Sequence, residues 1–480
     1  MALALAADGA ESGGQRRLAA RIAGFHWAAV AARTLPIHWA KAGSRFSLRG
    51  DLVVVQSSRA RLNGRHRQMA LLFGGNTRNK RPAADFRNHF ENATMRPTLV
   101  FCLLLAIALP CHAQGDQAKP NTLTPKEIAD GWILLFDGAT TFGWRSEGNM
   151  NVREGALTMG GRIRTTAEPT FRFFNYEISC EYAVIDMGAS KEDGAAEIQV
   201  ICGKNGPSIC RLSGSDDSSK PAWKRLKFVV NGDKAVWDER GEYSEMGTPI
   251  RLYWVANPRA ELHLRNFKLR PLTTKPLFNG TDLTGWREFP GKKSKFTVTD
   301  SAINVKDGPG DLQTVGKYQD FVLQVECKSN GKHLNSGIFF RCKENEYQNG
   351  YEAQILNKFS PEATQKYLVE EYDAKTNKLL GKKEILSTAF DYGTGAIYRR
   401  VPARKQMSKD GEWFGMTIVA HGNHLATWVN GVQVTDWYDN RPKSDNARTG
   451  CKVEAGHVSI QGHDPTTDLS FRNFRIAELK

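Results

Sequence analysis

The chain has 480 residues, 40% of them hydrophobic, and a formal net charge of +15 at pH 7. That length exceeds what a single core organises well and points to two or three domains. The charge would suit a nucleic-acid binder, but +10 of it lies in residues 1–94, where thirteen Arg and two Lys meet five acids; the remainder gives no electrostatic argument for nucleic acid.

Residues 1–94 are rich in Arg, Ala and Gly and lack a periodic apolar face, so they read as a basic, disordered leader upstream of the true translation start. Met95 opens MRPTLVFCLLLAIALPCHAQG, with Arg96, an apolar core over Leu99–Leu109 and a small-x-small stretch at Cys111-His112-Ala113. This is signal-peptide grammar over 95–113. The apolar core is about half the ~20 residues a spanning helix needs, so a periplasmic or secreted protein is expected, without a membrane anchor once the signal is cleaved. Six cysteines follow, and none forms a CxxC. Disulfides are permitted by export, and a zinc or thioredoxin-like site has no support.

After the signal the chain is written twice. Leu135 to Trp144 (LFDGATTFGW) returns as Leu277 to Trp286 (LFNGTDLTGW), and Leu264 to Leu269 (LRNFKL) returns as Phe471 to Ile476 (FRNFRI). Between these ends, short alternating or apolar runs are bounded by Gly, Asn, Asp and Pro, which is strand-and-turn patterning. The reading is all-β: tandem antiparallel β-sandwiches over 121–272 and 276–480, joined near Pro271 to Pro276. Cys180 with Cys202 and Cys327 with Cys342 occupy corresponding places, as a disulfide in each sandwich or as buried thiols.

Eight motifs in order across 276–480 resemble the 3-keto-disaccharide hydrolase family, formerly a domain of unknown function. They are LFNGTDLTGW, NSGIFFR, GYEAQILN, GAIY, GEW, WVNG, GHVSIQGH and FRNFRI. The resemblance implies a concanavalin-like jelly-roll fold, export, and cleavage of glycosides whose sugar is oxidised at C3. Residues 133–272 resemble the family only at their ends, as a degenerate copy.

The first copy serves as an internal control. It keeps the opening Trp and the closing Asn-Phe, which are therefore assigned to the fold. Arg341 corresponds to Ile201 in the first copy, GYEAQILN has no counterpart, and Gln461 and His463 fall near Tyr253 and Val255. With a side-chain period of two, Asn335, Phe339 and Arg341 share one face, and Glu352 and Gln354 share one face of the next strand. These are placed together on a polar, concave face.

A 3-keto group acidifies the C2 proton, so the implied chemistry is proton abstraction, β-elimination at C1 and hydration. It needs a base, a cation for the enolate oxygen and an acid at the glycosidic oxygen. Glu352 and His463 are the base and acid candidates, without an assignment between them, and Arg341 is the enolate stabiliser. Asn335, Gln354 and Gln461 would hydrogen-bond sugar hydroxyls, with Tyr398 and Trp437 as stacking platforms. Gly462 stands where an acidic residue usually precedes the His. No cofactor is evident. A divalent metal joining Glu352 and His463 would suit the chemistry, although no HxH or HExxH spacing marks it. Competing readings are a two-carboxylate glycosidase pairing Glu352 with Glu370, Glu371 or Asp391, and a non-catalytic, lectin-like carbohydrate binder.

Overall fold

The structure, a computed structural model, describes residues 119–479 apart from 162, 187–195, 202–206, 213–221, 232–233, 238–239, 242–249, 255–256 and 362–363. The leader, the signal-like segment and Cys202 lie outside the described residues.

The regular structure of the described chain is antiparallel strand apart from one short helix, Pro125–Asp130, capped by Thr124. In the second half a five-stranded sheet runs in the order Trp286–Glu288, Gly310–Thr314, His457–Gly462, Ser336–Cys342 and Tyr351–Ile355. A larger sheet faces it, in the order Lys295–Thr299, Ala302–Lys306, Asp468–Glu478, Phe321–Ser329, Phe414–His421, His424–Val429 and Val432–Tyr438. Ile338, Phe340, Val458 and Ile460 from the first sheet meet Leu323, Val325, Ile418 and Phe471 from the second in one buried cluster. The result is a β-sandwich in which the odd and even positions of each strand have different neighbours. The first half builds its two sheets in the same strand order.

The paired LF-x-G…GW motifs share a local device. Trp286 Nε1 donates to Leu277 O at 2.8 Å, and Trp144 Nε1 donates to Leu135 O at 2.6 Å. Each buried indole thus gains the partner its N–H requires, which ties the start of the segment to the first strand of its sheet.

The central strands of the larger sheet of the second half are apolar on both faces because both are covered there. Phe321, Leu323 and Val325 enter its own core, whereas Val322, Val419, Ala426 and Trp428 join the core cluster of the first half. Polar contacts lock the same seam. Trp428 Nε1 donates to Leu134 O at 3.1 Å, and Gln324 Nε2 donates to Gly131 O at 2.9 Å. Asp137 accepts from Arg404 Nη2 at 2.8 Å and Lys405 Nζ at 2.6 Å. The outer face of the five-stranded sheet lies on the other side of the second sandwich, and the candidate site lies there.

Cys327 and Cys342, one on each sheet of the second sandwich, are buried thiols rather than a disulfide. Burial pushes both well above the ordinary thiol range, the inert state expected of a small core side chain. No helix among the described residues is long and apolar enough to cross a membrane.

Candidate active site

A cavity of about 330 Å³ opens on the outer face of the five-stranded sheet. Its floor follows from the ladder. Gly337 pairs with Gln354 and Phe339 with Glu352, while Gln461 stands opposite Asp311 on the next strands. The alternate positions Ile338, Tyr351 and Ala353 belong to the core, so Phe339, Glu352, Gln354 and Gln461 project into the cavity.

One wall comes from the segment that follows the long hairpin of Gln365–Tyr372 and Leu379–Ser387. Gln354 N donates to Ala396 O at 3.0 Å, Gly395 N to Gln354 O at 2.8 Å and Tyr398 N to Glu352 O at 2.9 Å. This segment adds itself to the edge of the sheet and brings Tyr398, Arg399 and Arg400 to the mouth. Gly395 makes the approach feasible: its φ is +87°, and a Cβ there would stand 2.5 Å from Val434 Cγ2.

Glu352 is the carboxyl on the cavity floor. Burial pushes its pKa up to about 8; nearby Arg448 opposes the rise, while Asp391 and Asp311 add to it. With its nitrogen turned toward them, the Gln354 amide donates to Glu352 Oε1 and to Ser336 O, both at 3.2 Å. On the opposite wall, His463 Nδ1 bonds Asp464 Oδ2 at 2.8 Å and His463 Nε2 lies 3.4 Å from Asn335 Nδ2. The carboxylate that orients the imidazole therefore comes from the residue after His463 rather than from the position before it, which Gly462 occupies. Gly462 itself has no room for a side chain, since a Cβ would lie 2.0 Å from Ser294 Oγ.

Asp311, which sequence reasoning missed, is fully buried at 0% exposure. Burial raises its pKa to about 7. It accepts from Gln348 N at 3.1 Å through Oδ2, while its Oδ1 and the Oε1 of its ladder neighbour Gln461 have no partner. The available signal was parity: Asp311 and Gln313 alternate with core Leu312 and so share the site face. Arg448, also missed, lines the cavity and donates through Nε to Gln348 O at 2.7 Å.

Six of the eight sequence-derived residues converge here: Glu352, His463, Asn335, Gln354, Gln461 and Tyr398. Arg341 does not. It is 0% exposed and donates to Gln319 O, Gly422 O, Lys452 O and Asp320 Oδ1 at 2.6–2.9 Å. The ladder shifts register between Phe339 and Cys342, and Arg341 has φ +51°, so the period-two count that put it beside Glu352 fails at this bulge. Arg341 ties loops together and is corrected from a site residue to a structural one. Trp437 lines a neighbouring cavity, with Glu370, rather than this one. Glu371 lies on the exposed hairpin and Asp391 is exposed. Among the described residues no group of three or more His, Cys, Asp or Glu is arranged to hold a metal ion.

Residues 273–477 match the family model of the 3-keto-alpha-glucoside-1,2-lyase-like domain. No curated protein matches the chain. Among solved structures, a candidate glycosyl hydrolase from Parabacteroides distasonis is 24% identical, covering 43% of this chain and 94% of its own, with a TM-score of 0.33. A second from the same organism is 25% identical, covering 44% and 85%, with a TM-score of 0.30. Carbohydrate binding module CBM66 from Bacillus subtilis is 13% identical, covering 40% and 93%, with a TM-score of 0.26.

Proposed function

We propose that the second sandwich, whose sequence carries a 3-keto-alpha-glucoside-1,2-lyase-like domain, binds a glycoside bearing a 3-keto sugar and cleaves its glycosidic bond. The observation that carries this reading is Glu352, a carboxyl on the floor of a cavity of sugar-binding size whose pKa of about 8 suits proton transfer near neutral pH. Ionised Glu352 takes the C2 proton, and the charge that develops on the C3 oxygen is met by Arg448, the cation that acts most strongly on Glu352. The C1–O bond then breaks, and His463, oriented by Asp464, delivers a proton to the departing oxygen. Water adds across the unsaturated sugar to complete net hydrolysis. Asn335, Gln354 and Gln461 hydrogen-bond the hydroxyls and Tyr398 stacks on the ring. The same reading takes the chain to be exported by way of residues 95–113; sequencing a mature N-terminus that begins near Gln114 tests that.

The deciding experiment offers the purified chain a 3-keto-disaccharide and the same disaccharide unoxidised. Release of monosaccharide from the first only, slowed by deuterium at C2, is expected. Cleavage of both without an isotope effect would establish a two-carboxylate glycosidase instead, and binding without cleavage a lectin-like protein.

A further inference from the structure

A second cavity, of about 130 Å³, adjoins the first, and the two share Arg399 and Arg400 as their common wall. Trp437, Arg441, Lys382 and Glu370 complete its polar and aromatic lining. Its charges are unbalanced. Arg441 is already matched, donating through Nε and Nη2 to the two carboxylate oxygens of buried Asp439 at 2.8 and 2.7 Å. Among the described residues neither Arg399, Arg400 nor Lys382 pairs with a carboxylate. Glu370 is the one acid on the wall, and it accepts from Tyr372 Oη at 2.9 Å. Three cations thus face one carboxylate.

Arg400 is the most telling of the three. It is half-buried, and among the described residues its side chain makes one hydrogen bond, from Nη2 to Arg448 O at 2.7 Å, so most of the guanidinium fork is unused there. Burial, and then the neighbouring Arg441 guanidinium, lower its hold on its proton. A cation kept out of water beside a like charge is a standing cost that an anionic ligand would offset. Arg399 lies over the Tyr398 ring at 5.4 Å, and Trp437 offers an aromatic surface for a sugar beside these donors.

We infer that this second cavity is a subsite for an anionic unit of the substrate, a sugar bearing a carboxylate or a sulfate ester, linked to the 3-keto sugar in the first cavity. The guanidinium fork fits either oxyanion. The inference rests on the first cavity holding a sugar, and it adds which glycosides the site prefers.

The test titrates three matched 3-keto-disaccharides, neutral, uronate and sulfate ester, into the full-length Glu352→Gln chain and reads Kd by calorimetry. At least one anionic ligand should bind tenfold or more tightly than the neutral one, with the advantage shrinking as salt is raised, and the better of the two names the anion. In the Arg399→Gln/Arg400→Gln background that advantage should fall to less than threefold. Equal affinity for all three ligands overturns the subsite, as does an advantage that survives the double substitution. Turnover by the unsubstituted chain is measured separately: an intact anionic preference without cleavage would overturn the reaction and leave the subsite standing.

Discussion

Gly337 holds open the space that the Glu352 side chain fills. A Cβ at position 337 would stand 2.6 Å from Glu352 Oε1 and 2.8 Å from its Cγ, because the two positions lie diagonally across one pair of strands on the same face. The smallest residue on this strand therefore fixes where the proposed base sits. Gly337→Ala should cut kcat/KM by about 100-fold through displacement of the carboxylate, with a stability loss of about 1–3 kcal/mol from overpacking. Turnover and urea unfolding measured on one preparation separate the two effects; unchanged turnover would show that the carboxylate position is not critical.

The pH dependence follows from the same carboxyl. The folded pKa of Glu352, about 8, lies above its ordinary 4.5, and that of Asp311, about 7, lies above 3.8. Between these limits the unfolded chain gives up protons that the folded chain retains, so stability falls as pH rises through that window and levels off above it. Melting temperatures from pH 5 to 9 should show this decline, and Glu352→Gln should flatten it while abolishing turnover. In the active chain kcat/KM should climb toward pH 8 as the base ionises. Asp311→Asn removes a neighbour that raises the Glu352 pKa and should move that climb to lower pH.

Arg341→Ala should act on the fold. Its guanidinium satisfies three loop carbonyls and Asp320 while sealed from water, and removal leaves those acceptors unpaired, at a cost of about 3–5 kcal/mol. The expected result is a lowered urea midpoint with kcat per folded molecule close to that of the parent chain. A specific loss of kcat at unchanged stability would return Arg341 to the chemistry.

Asp137 clasps the seam between the two halves. Burial alone would raise its pKa, but Lys405, backbone N–H groups and Arg404 hold the carboxyl well below the usual range. Asp137→Asn should cost about 2–3 kcal/mol at neutral pH. Because the folded pKa is depressed, that stability is present above the ordinary carboxylate range and is lost on acidification below it. Unfolding midpoints of the two chains should therefore differ at pH 7 and converge toward pH 2.

Strand alternation and the LF-x-G…GW pairs made the all-β fold legible, because each Trp must place an apolar body and find a carbonyl for its N–H. Glu352 and Gln354 were legible as neighbours on one face because the ladder they share with Ser336–Cys342 is regular, so parity in sequence equals facing in space. Arg341 was misplaced because one residue with positive φ breaks that parity. Arg448 escaped notice because it reaches the cavity from a loop distant in sequence, and Asp311 because only the three-dimensional register sets it, buried, opposite Gln461. Trp437 was read as an aromatic beside the sugar, but the Arg399–Arg400 wall separates it from the first cavity.

The segment from Gly395 to Tyr398 has a second consequence beyond placing Tyr398. Tyr351–Ile355 is the last strand of its sheet, and an unpaired strand edge invites another chain to add to it. The backbone bonds of Gly395, Ala396 and Tyr398 occupy that edge, so one loop both builds the wall of the cavity and guards the protein against intermolecular strand addition. Substitutions that loosen it should surface first as aggregation on concentration, before any fault in sugar handling is seen.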